Sequence, residues 1–202
     1  MIRLEENKRW TENNPIEKLP LPPRVYIPLS QHLGNICNPE VKIGDSVLCG
    51  QRIAGAAAHV YAPIHASVSG KVVSIEDLPH SVLGRCKAIV IESDGLNRTQ
   101  DSRLRTQDEI EGLIPEQIRG LVLEAGIVGM GGASFPTHIK LNPPKPVDTL
   151  IINGAECEPY LTGDYRLMIE KTKEILQGIA LAAKCLGIKQ VFIAIEDNKP
   201  EA

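Results

Sequence analysis

The sequence predicts two classes in one chain, α/β plus all-β: a small β sandwich or barrel, then an incomplete α/β domain. Short β-branched runs separated by turn residues fill the stretch from Arg24 to Asp94. A strand, a long helix and a second strand follow between Val147 and Ile195, an order that builds a parallel sheet. Between the two lies a glycine-packed loop, Gly126 to Lys140. The chain therefore divides into an N-terminal arm (1–23), a β domain (24–95), a linker (96–112) and the first part of an α/β domain (113–202).

Each element follows from local chemistry. The arm is polar and closes on Leu19-Pro20-Leu21-Pro22-Pro23, which extends the backbone and removes donors. Strands are expected at Arg24–Leu29, His59–Ala62, Gly70–Ile75 and Lys87–Glu92, with turns at Gly44-Asp45, Gly50, Gly55 and Ser69-Gly70. A helix starts near Pro115, whose missing N–H suits a first turn, and ends at Gly126. Ile114, Ile118, Leu121, Val122 and Ala125 keep its apolar spacing. Val147–Asn153 reads as a buried strand. One long helix runs from a cap at Thr162 or Asp164 to Leu186, where Gly187 stops it. Gln190–Ile195 is the next strand. A parallel sheet with so few strands predicts a piece of a longer protein.

Composition narrows the function. Hydrophobic residues are 43 % of the 202, enough for a core, while aromatics are only 3 %. That leaves little for base-stacking platforms, and a net charge of −3 without a basic run argues against nucleic acid. No apolar stretch approaches a bilayer span, and the first fifteen residues lack a signal-peptide core. The expectation is a soluble, cytoplasmic chain that meets a membrane only through a partner. Five cysteines, Cys37, Cys49, Cys86, Cys157 and Cys185, form no C-x-x-C pair and fit neither a zinc nor an iron–sulfur site. They read as reduced thiols, mostly small buried residues. His59, His65 and His80 lack ligand spacing, so no metal site is expected.

Gly126, Gly129, Gly131 and Gly132 let the backbone approach a ligand and turn N–H groups toward an anion. No Gly-Lys-Ser/Thr follows, so this is not a P-loop, and the loop follows a helix rather than the strand that a dinucleotide fingerprint requires. What remains is a cradle, with Lys140 nearby, for a phosphate or a flat ring. The bland reading is a helix C-cap and a turn; Gly126 fits it, and the other three glycines exceed it. Asn153 ends a parallel strand, the edge where α/β sheets bind ligands. Glu156 and Glu158 follow on the loop, suited to ribose hydroxyls or a carboxamide; the bland reading is a solvated acidic loop, or a pair that caps the next helix.

Two segments of the β domain, Val41–Ala54 and Tyr61–Val72, resemble the halves of a biotinyl/lipoyl-type barrel-sandwich domain. A carrier needs a lysine at the hairpin tip, where this chain has Ala56-Ala57-Ala58-His59, so carrier chemistry is not expected. A non-catalytic docking module remains an alternative.

The stretches Gly131-Gly132-Ala133-Ser134-Phe135-Pro136-Thr137-His138-Ile139-Lys140-Leu141 and Asn153-Gly154-Ala155-Glu156-Cys157-Glu158-Pro159-Tyr160-Leu161-Thr162 resemble the RnfC component of Rnf-type electron transport complexes. They are similar, more distantly, to the flavoprotein subunit of respiratory complex I. Gln31-His32-Leu33-Gly34 at the start of the β domain also matches the order of segments in RnfC. The resemblance implies a Rossmann-like FMN- and NADH-binding domain at the electron entry of a membrane-bound, ion-translocating complex, on its cytoplasmic face. Hydride would pass from NADH to FMN, then single electrons to two [4Fe-4S] clusters beyond this chain. Carried over, Gly129, Gly131, Gly132 and Lys140 would cradle FMN, and Asn153 would meet its polar edge or ribityl chain. Phe135 would stack near the nicotinamide or adenine, and Glu156 and Glu158 would line the pocket. The resemblance assigns no catalytic side chain, and its partners are the other subunits of the complex. The chain departs from the complex I relative at Met130 and Ala155, where arginine and aspartate are expected. The cobalamin reductase of microcompartments shares both motifs, but the leading β domain follows the Rnf order.

Overall fold

The computed structural model describes residues 5–100, 107–130 and 132–202. The chain forms two units that do not follow chain order: one is Pro20–Asn142, the other joins Met1–Leu19 to Pro143–Ala202.

Among its described residues Pro20–Asn142 holds seven strands: β1 (Arg24–Pro28), β2 (Asn38–Pro39), β3 (Ser46–Val47), β4 (Arg52–Gly55), β5 (Ile64–His65), β6 (Gly70–His80) and β7 (Gly84–Ser93). They make two antiparallel sheets, ordered β1-β7-β6-β3 and β2-β4-β5. β6 and β7 form the long hairpin, from Gly70 opposite Ser93 to His80 opposite Gly84. Its register shifts once, between Val72 and Ser74, and such a bulge bends the strand so the sheet can curl. Gly84 turns the tip with φ +71, and His80 seals it. The N–H groups of Val82 and Leu83 both donate to His80 Nδ1, so the ring proton sits on Nε2 and donates to Ser30 O at 2.8 Å.

Ile27, Val47, Val72, Ile89 and Ile91 from one sheet meet Ile53, Ala54 and Ile64 from the other in a single core. Inward residues alternate along the strands, and this burial against the facing sheet holds the sandwich together. Cys37 and Cys86 pack there as small apolar residues, and burial pushes the Cys37 thiol up, against a smaller opposing pull from Arg52. The expected strand at His59–Ala62 is absent; the chain pairs two residues later, at β5. Ala62 N–H is taken instead by the His32 ring, and the paired strand begins only after Pro63, which has no N–H to donate.

The described residues of this unit also form the helices α1 (Gln107–Glu111), α2 (Pro115–Glu124) and α3 (Thr137–Lys140). α2 opens with Pro115 in its first turn, and Gln117 Oε1 accepts the Ile114 N–H at 3.0 Å. It ends as expected at Gly126, φ +65, with Gly126 N–H bonded to Leu123 O and Ile127 N–H to Val122 O, the Schellman pattern. Part of the expected 96–112 linker, residues 101–106, lies outside the described residues.

In the other unit, β8 (Thr149–Asn153) and β9 (Gln190–Ala194) pair in parallel, Thr149 opposite Gln190 through Asn153 opposite Ala194. The helical crossover between them is α4 (Gly163–Glu170) and α5 (Thr172–Leu186). The sequence predicts one long helix here; the chain breaks it at Lys171, φ −129, where Thr172 turns its hydroxyl back onto Met168 O. That side-chain bond competes with the helical ladder. α5 stops at Gly187, φ +68, as expected. No helix among the described residues is long and apolar enough to cross a membrane.

Candidate functional site

In the unit built on β8 and β9, the end of the parallel ladder sets up the acidic loop. Gly154 N–H donates to Ala194 O at 2.8 Å, so pairing continues one residue past Asn153. Asn153 then turns the chain: its Oδ1 accepts the Ala155 N–H at 3.0 Å. The two carboxylates part company from there. Glu158 is exposed, and its backbone carbonyl accepts the Leu161 N–H. Glu156 is 4 % exposed. Its Oε1 accepts the Asp164 N–H at 2.6 Å and thereby caps α4.

This corrects the expected cap. Thr162 holds the position before the helix but gives its hydroxyl to Thr11 at 2.8 Å, and Asp164 contributes its backbone rather than its side chain. The capping half of the bland reading thus describes one oxygen of Glu156. The other, Oε2, is buried and has no partner among the described residues. A buried carboxylate oxygen without a donor is costly, about 1–3 kcal/mol or more, so it marks a place where a donor belongs. A cavity of about 290 Å³ lies beside the strand ends, with Asn153 and Asp164 at its polar margin and Leu167, Met168, Ile193 and Ile195 as apolar wall. Such walls suit a ring rather than a phosphate.

The arm residues, which the sequence marks only as a polar lead-in, fasten this loop from the same unit. Asn7 N–H donates to Pro159 O at 2.9 Å. Lys8, itself 4 % exposed, donates through Nζ to Glu156 O at 2.5 Å and lies 3.3 Å from Glu196 Oε2. Ile16 N–H reaches Glu170, and Lys199 pairs with Glu12 at 3.1 Å. No periodicity or motif around Lys8 signals its burial; only its long-range partner reveals it.

The glycine loop sits in the Pro20–Asn142 unit. Val128 and Pro136 bridge as an antiparallel pair, and Gly129 N–H donates to Phe135 O at 2.9 Å. Thr137 N–H donates to Ile127 O at 2.9 Å, so the loop from 129 to 135 is pinched at its base. A Cβ at Gly129 would collide with Lys140 Nζ, which lies over the backbone there. Gly132 is exposed, and a Cβ on it would meet nothing within 4 Å. Met130 is 91 % exposed beside it. Phe135 is half-buried and Lys140 exposed. Gly131 lies outside the described residues. The backbone is thus open at Gly132 and lies beside a cation at Gly129, features that suit an anion or a flat ring.

Gly129, Gly132, Phe135 and Lys140 therefore share one unit, and Asn153, Glu156 and Glu158 the other. Sequence reasoning missed the histidines that organise the β domain. His32 Nε2 lies 2.9 Å from the Ala62 N–H and 3.0 Å from Ala62 O, and Nδ1 is buried without a partner among the described residues. Gly34, φ +135, brings the backbone so near Val60 O that a Cβ would overlap it. The Gln31-His32-Leu33-Gly34 stretch is thus a clasp within the fold. His138 is held below the usual imidazole range by burial first and by neighbouring His59 and His32, against an opposing hydrogen bond to the His59 backbone. Among the described residues no three His, Cys, Asp or Glu side chains gather as a metal site.

Two family models match the chain: the RnfC barrel sandwich hybrid domain over residues 2–96, and the Nuo51 FMN-binding domain over residues 122–202. The first agrees with the two antiparallel sheets on one core, and the second spans both loops described above. Three curated relatives are the corresponding subunits of named complexes. That of the proton-translocating ferredoxin:NAD(+) oxidoreductase complex of Clostridium ljungdahlii is 48 % identical over 203 residues, all of this chain and 44 % of that protein. That of the Na(+)-translocating ferredoxin:NAD(+) oxidoreductase complex of Acetobacterium woodii is 48 % identical over 183 residues, 90 % of this chain and 41 % of that protein. That of the ion-translocating oxidoreductase complex of Rhodobacter capsulatus is 46 % identical over 205 residues, all of this chain and 39 % of that protein. The chain spans less than half the length of these relatives.

Proposed function

We infer that this chain, which belongs to the RnfC family of Rnf-type ion-translocating complexes, carries much of an FMN site that exchanges hydride with NADH. The observation that carries this reading is the buried Oε2 of Glu156, without a partner among the described residues, on the loop that follows a parallel strand. It needs an N–H or O–H donor, and a flavin edge, a ribityl hydroxyl or a nicotinamide carboxamide supplies one. Bound FMN would supply two-electron exchange with a nicotinamide and one-electron exchange with iron–sulfur clusters.

The chain's own residues would bind and orient. Gly129, Gly131 and Gly132, having no side chain, would receive the phosphoryl end, and Lys140 would offer its charge. Asn153, whose carbonyl oxygen already holds the Ala155 N–H, has an amide group left to donate. Glu158, exposed, suits the ribose hydroxyls of the nucleotide, and Phe135 its nicotinamide or adenine ring. In sequence order we propose an arm (1–23), a barrel-sandwich domain (24–95), a linker (96–112) and the first part of a Rossmann-like domain (113–202). The two [4Fe-4S] clusters would lie outside these 202 residues. The complex would sit at the cytoplasmic face of the membrane, with this chain held there by its partner subunits.

The relatives named as ferredoxin:NAD(+) oxidoreductases put NAD(+) at the accepting end. One hydride-exchanging site serves either direction, so the present reading needs only that FMN and the nicotinamide meet here. The test is reconstitution of the assembled complex with FMN, followed by NADH-dependent flavin reduction. Stoichiometric flavin uptake with reduction by NADH supports the reading; absence of flavin uptake overturns it.

A further inference from the structure

The least expected group in the described fold is the ammonium of Lys8. Lysine is almost never fully buried unless paired, and it stands 148 residues from its nearest partner in sequence. Its Nζ donates to the backbone oxygen of Glu156 at 2.5 Å and faces the Glu196 carboxylate at 3.3 Å. The rest of the arm follows the same loop outward. Asn7 N–H holds Pro159 O, Thr11 takes the Thr162 hydroxyl, and Arg166 reaches Glu12 O.

These bonds act on one peptide in particular. Fixing the Glu156 carbonyl fixes the plane between Glu156 and Cys157 and so restricts the direction of the Glu156 Cα–Cβ bond. Along that bond lies the carboxylate, whose Oε1 is on the Asp164 N–H and whose Oε2 is without a donor among the described residues. A charge-assisted bond on the carbonyl is among the stronger local constraints a loop can have. We propose that Lys8 is a positioning residue: through the Glu156 carbonyl it aims Glu156 Oε2 at the donor group of the cofactor or nucleotide. This rests on the FMN reading above for the identity of the ligand, but not for the existence of the clamp.

Two measurements separate the two claims. The Asp164 amide is a direct reporter, because its acceptor is the Glu156 carboxylate. In this chain without flavin, Lys8→Met should speed exchange of the Asp164 amide at least about tenfold, the loss of ~1.4 kcal/mol of protection, while Ile91 in the other unit is unchanged. Lys8→Arg, which keeps charge and donors, should restore part of the protection. Unchanged Asp164 exchange in Lys8→Met overturns the proposal; if that variant fails to fold, unchanged exchange in Lys8→Gln overturns it equally.

The second measurement is a double-mutant cycle on FMN affinity in the assembled complex. Lys8→Met should raise the FMN dissociation constant about tenfold. Combined with Glu156→Gln it should add little to the loss that Glu156→Gln causes alone, because both act on one atom. Fully additive losses would mean that Lys8 merely supports the fold, and would overturn the positioning role. Failure of the wild-type complex to take up FMN would sink the flavin reading, leaving the exchange result to judge the clamp.

Discussion

Replacing Glu156 by alanine separates a structural carboxylate from a ligand-binding one, because the two oxygens pull stability in opposite directions. Oε1 accepts the Asp164 N–H at 2.6 Å, and losing a side-chain helix cap costs about 1–2 kcal/mol. The Glu156 carbonyl keeps its bond to Lys8, since that acceptor is backbone. Oε2, buried without a donor among the described residues, carries a desolvation penalty of about 1–3 kcal/mol that truncation relieves. The net for Glu156→Ala is a change of about 1 kcal/mol in either direction. Glu156→Gln keeps a carbonyl for the cap and replaces the lone acceptor with a donor, so its stability should also stay within about 1 kcal/mol. Both variants should nonetheless lose FMN affinity by tenfold or more, for want of the acceptor. Urea unfolding of the chain, followed by circular dichroism, gives the first number, and flavin fluorescence on the assembled complex gives the second. A loss above ~4 kcal/mol in Glu156→Ala would refute the reasoning, since it would make Glu156 a structural residue with its partners already present.

Three further predictions concern the β domain. Ile91, 0 % exposed in the core, should cost about 3 kcal/mol when changed to alanine, read as a lower urea midpoint; a cost under ~1 kcal/mol would contradict the close-packed core. Gly34→Ala should destabilise by about 1–3 kcal/mol, because a Cβ there meets Val60 O and the backbone is at φ +135; a neutral result in thermal melting would dismiss the clasp. Asp94 is held at about 2, below the usual carboxylate, first by the Ser69 hydroxyl, then by the Leu96 N–H and Arg98. Its folded value is depressed, so its stabilising contribution is full above the unfolded value near 3.8 and is lost as pH falls through about 2. In Ser69→Ala, carbon-13 NMR titration should show the Asp94 pKa rising toward 3.8, and an unmoved titration would remove Ser69 as the leading cause.

What the sequence makes legible is what local rules govern. Pro115 and Gly126 bracket α2 because one has no N–H to lose and the other adopts a positive φ. The runs at Arg24, Gly70 and Lys87 lie in strands because β-branched residues fit a half-buried pleat. Where tertiary partners decide, the sequence is silent. His59–Ala62 has strand composition, yet the His32 ring claims the Ala62 N–H. Thr162 has the composition of a cap, yet its hydroxyl turns to Thr11 and Glu156 caps α4 from the loop upstream of the helix. The site divides the same way. Gly132 and Asn153 stand out by residue type and position, whereas the difference between Glu156 and Glu158, one buried and one exposed, appears only in the fold. Lys8 is invisible in the sequence because its role depends on a partner 148 residues away.

On the proposed reading the backbone at Gly132 is left bare for a cofactor, and a side chain placed there tests this without disturbing the protein. A Cβ there meets nothing within 4 Å beyond its chain neighbours, so Gly132→Val should leave the melting temperature of the chain within a few degrees of wild type. The measurement is FMN bound per assembled complex, wild type against Gly132→Val, at matched folding. Full occupancy is expected in the first and loss of most of it in the second; equal FMN content in both would mean that the loop holds no cofactor.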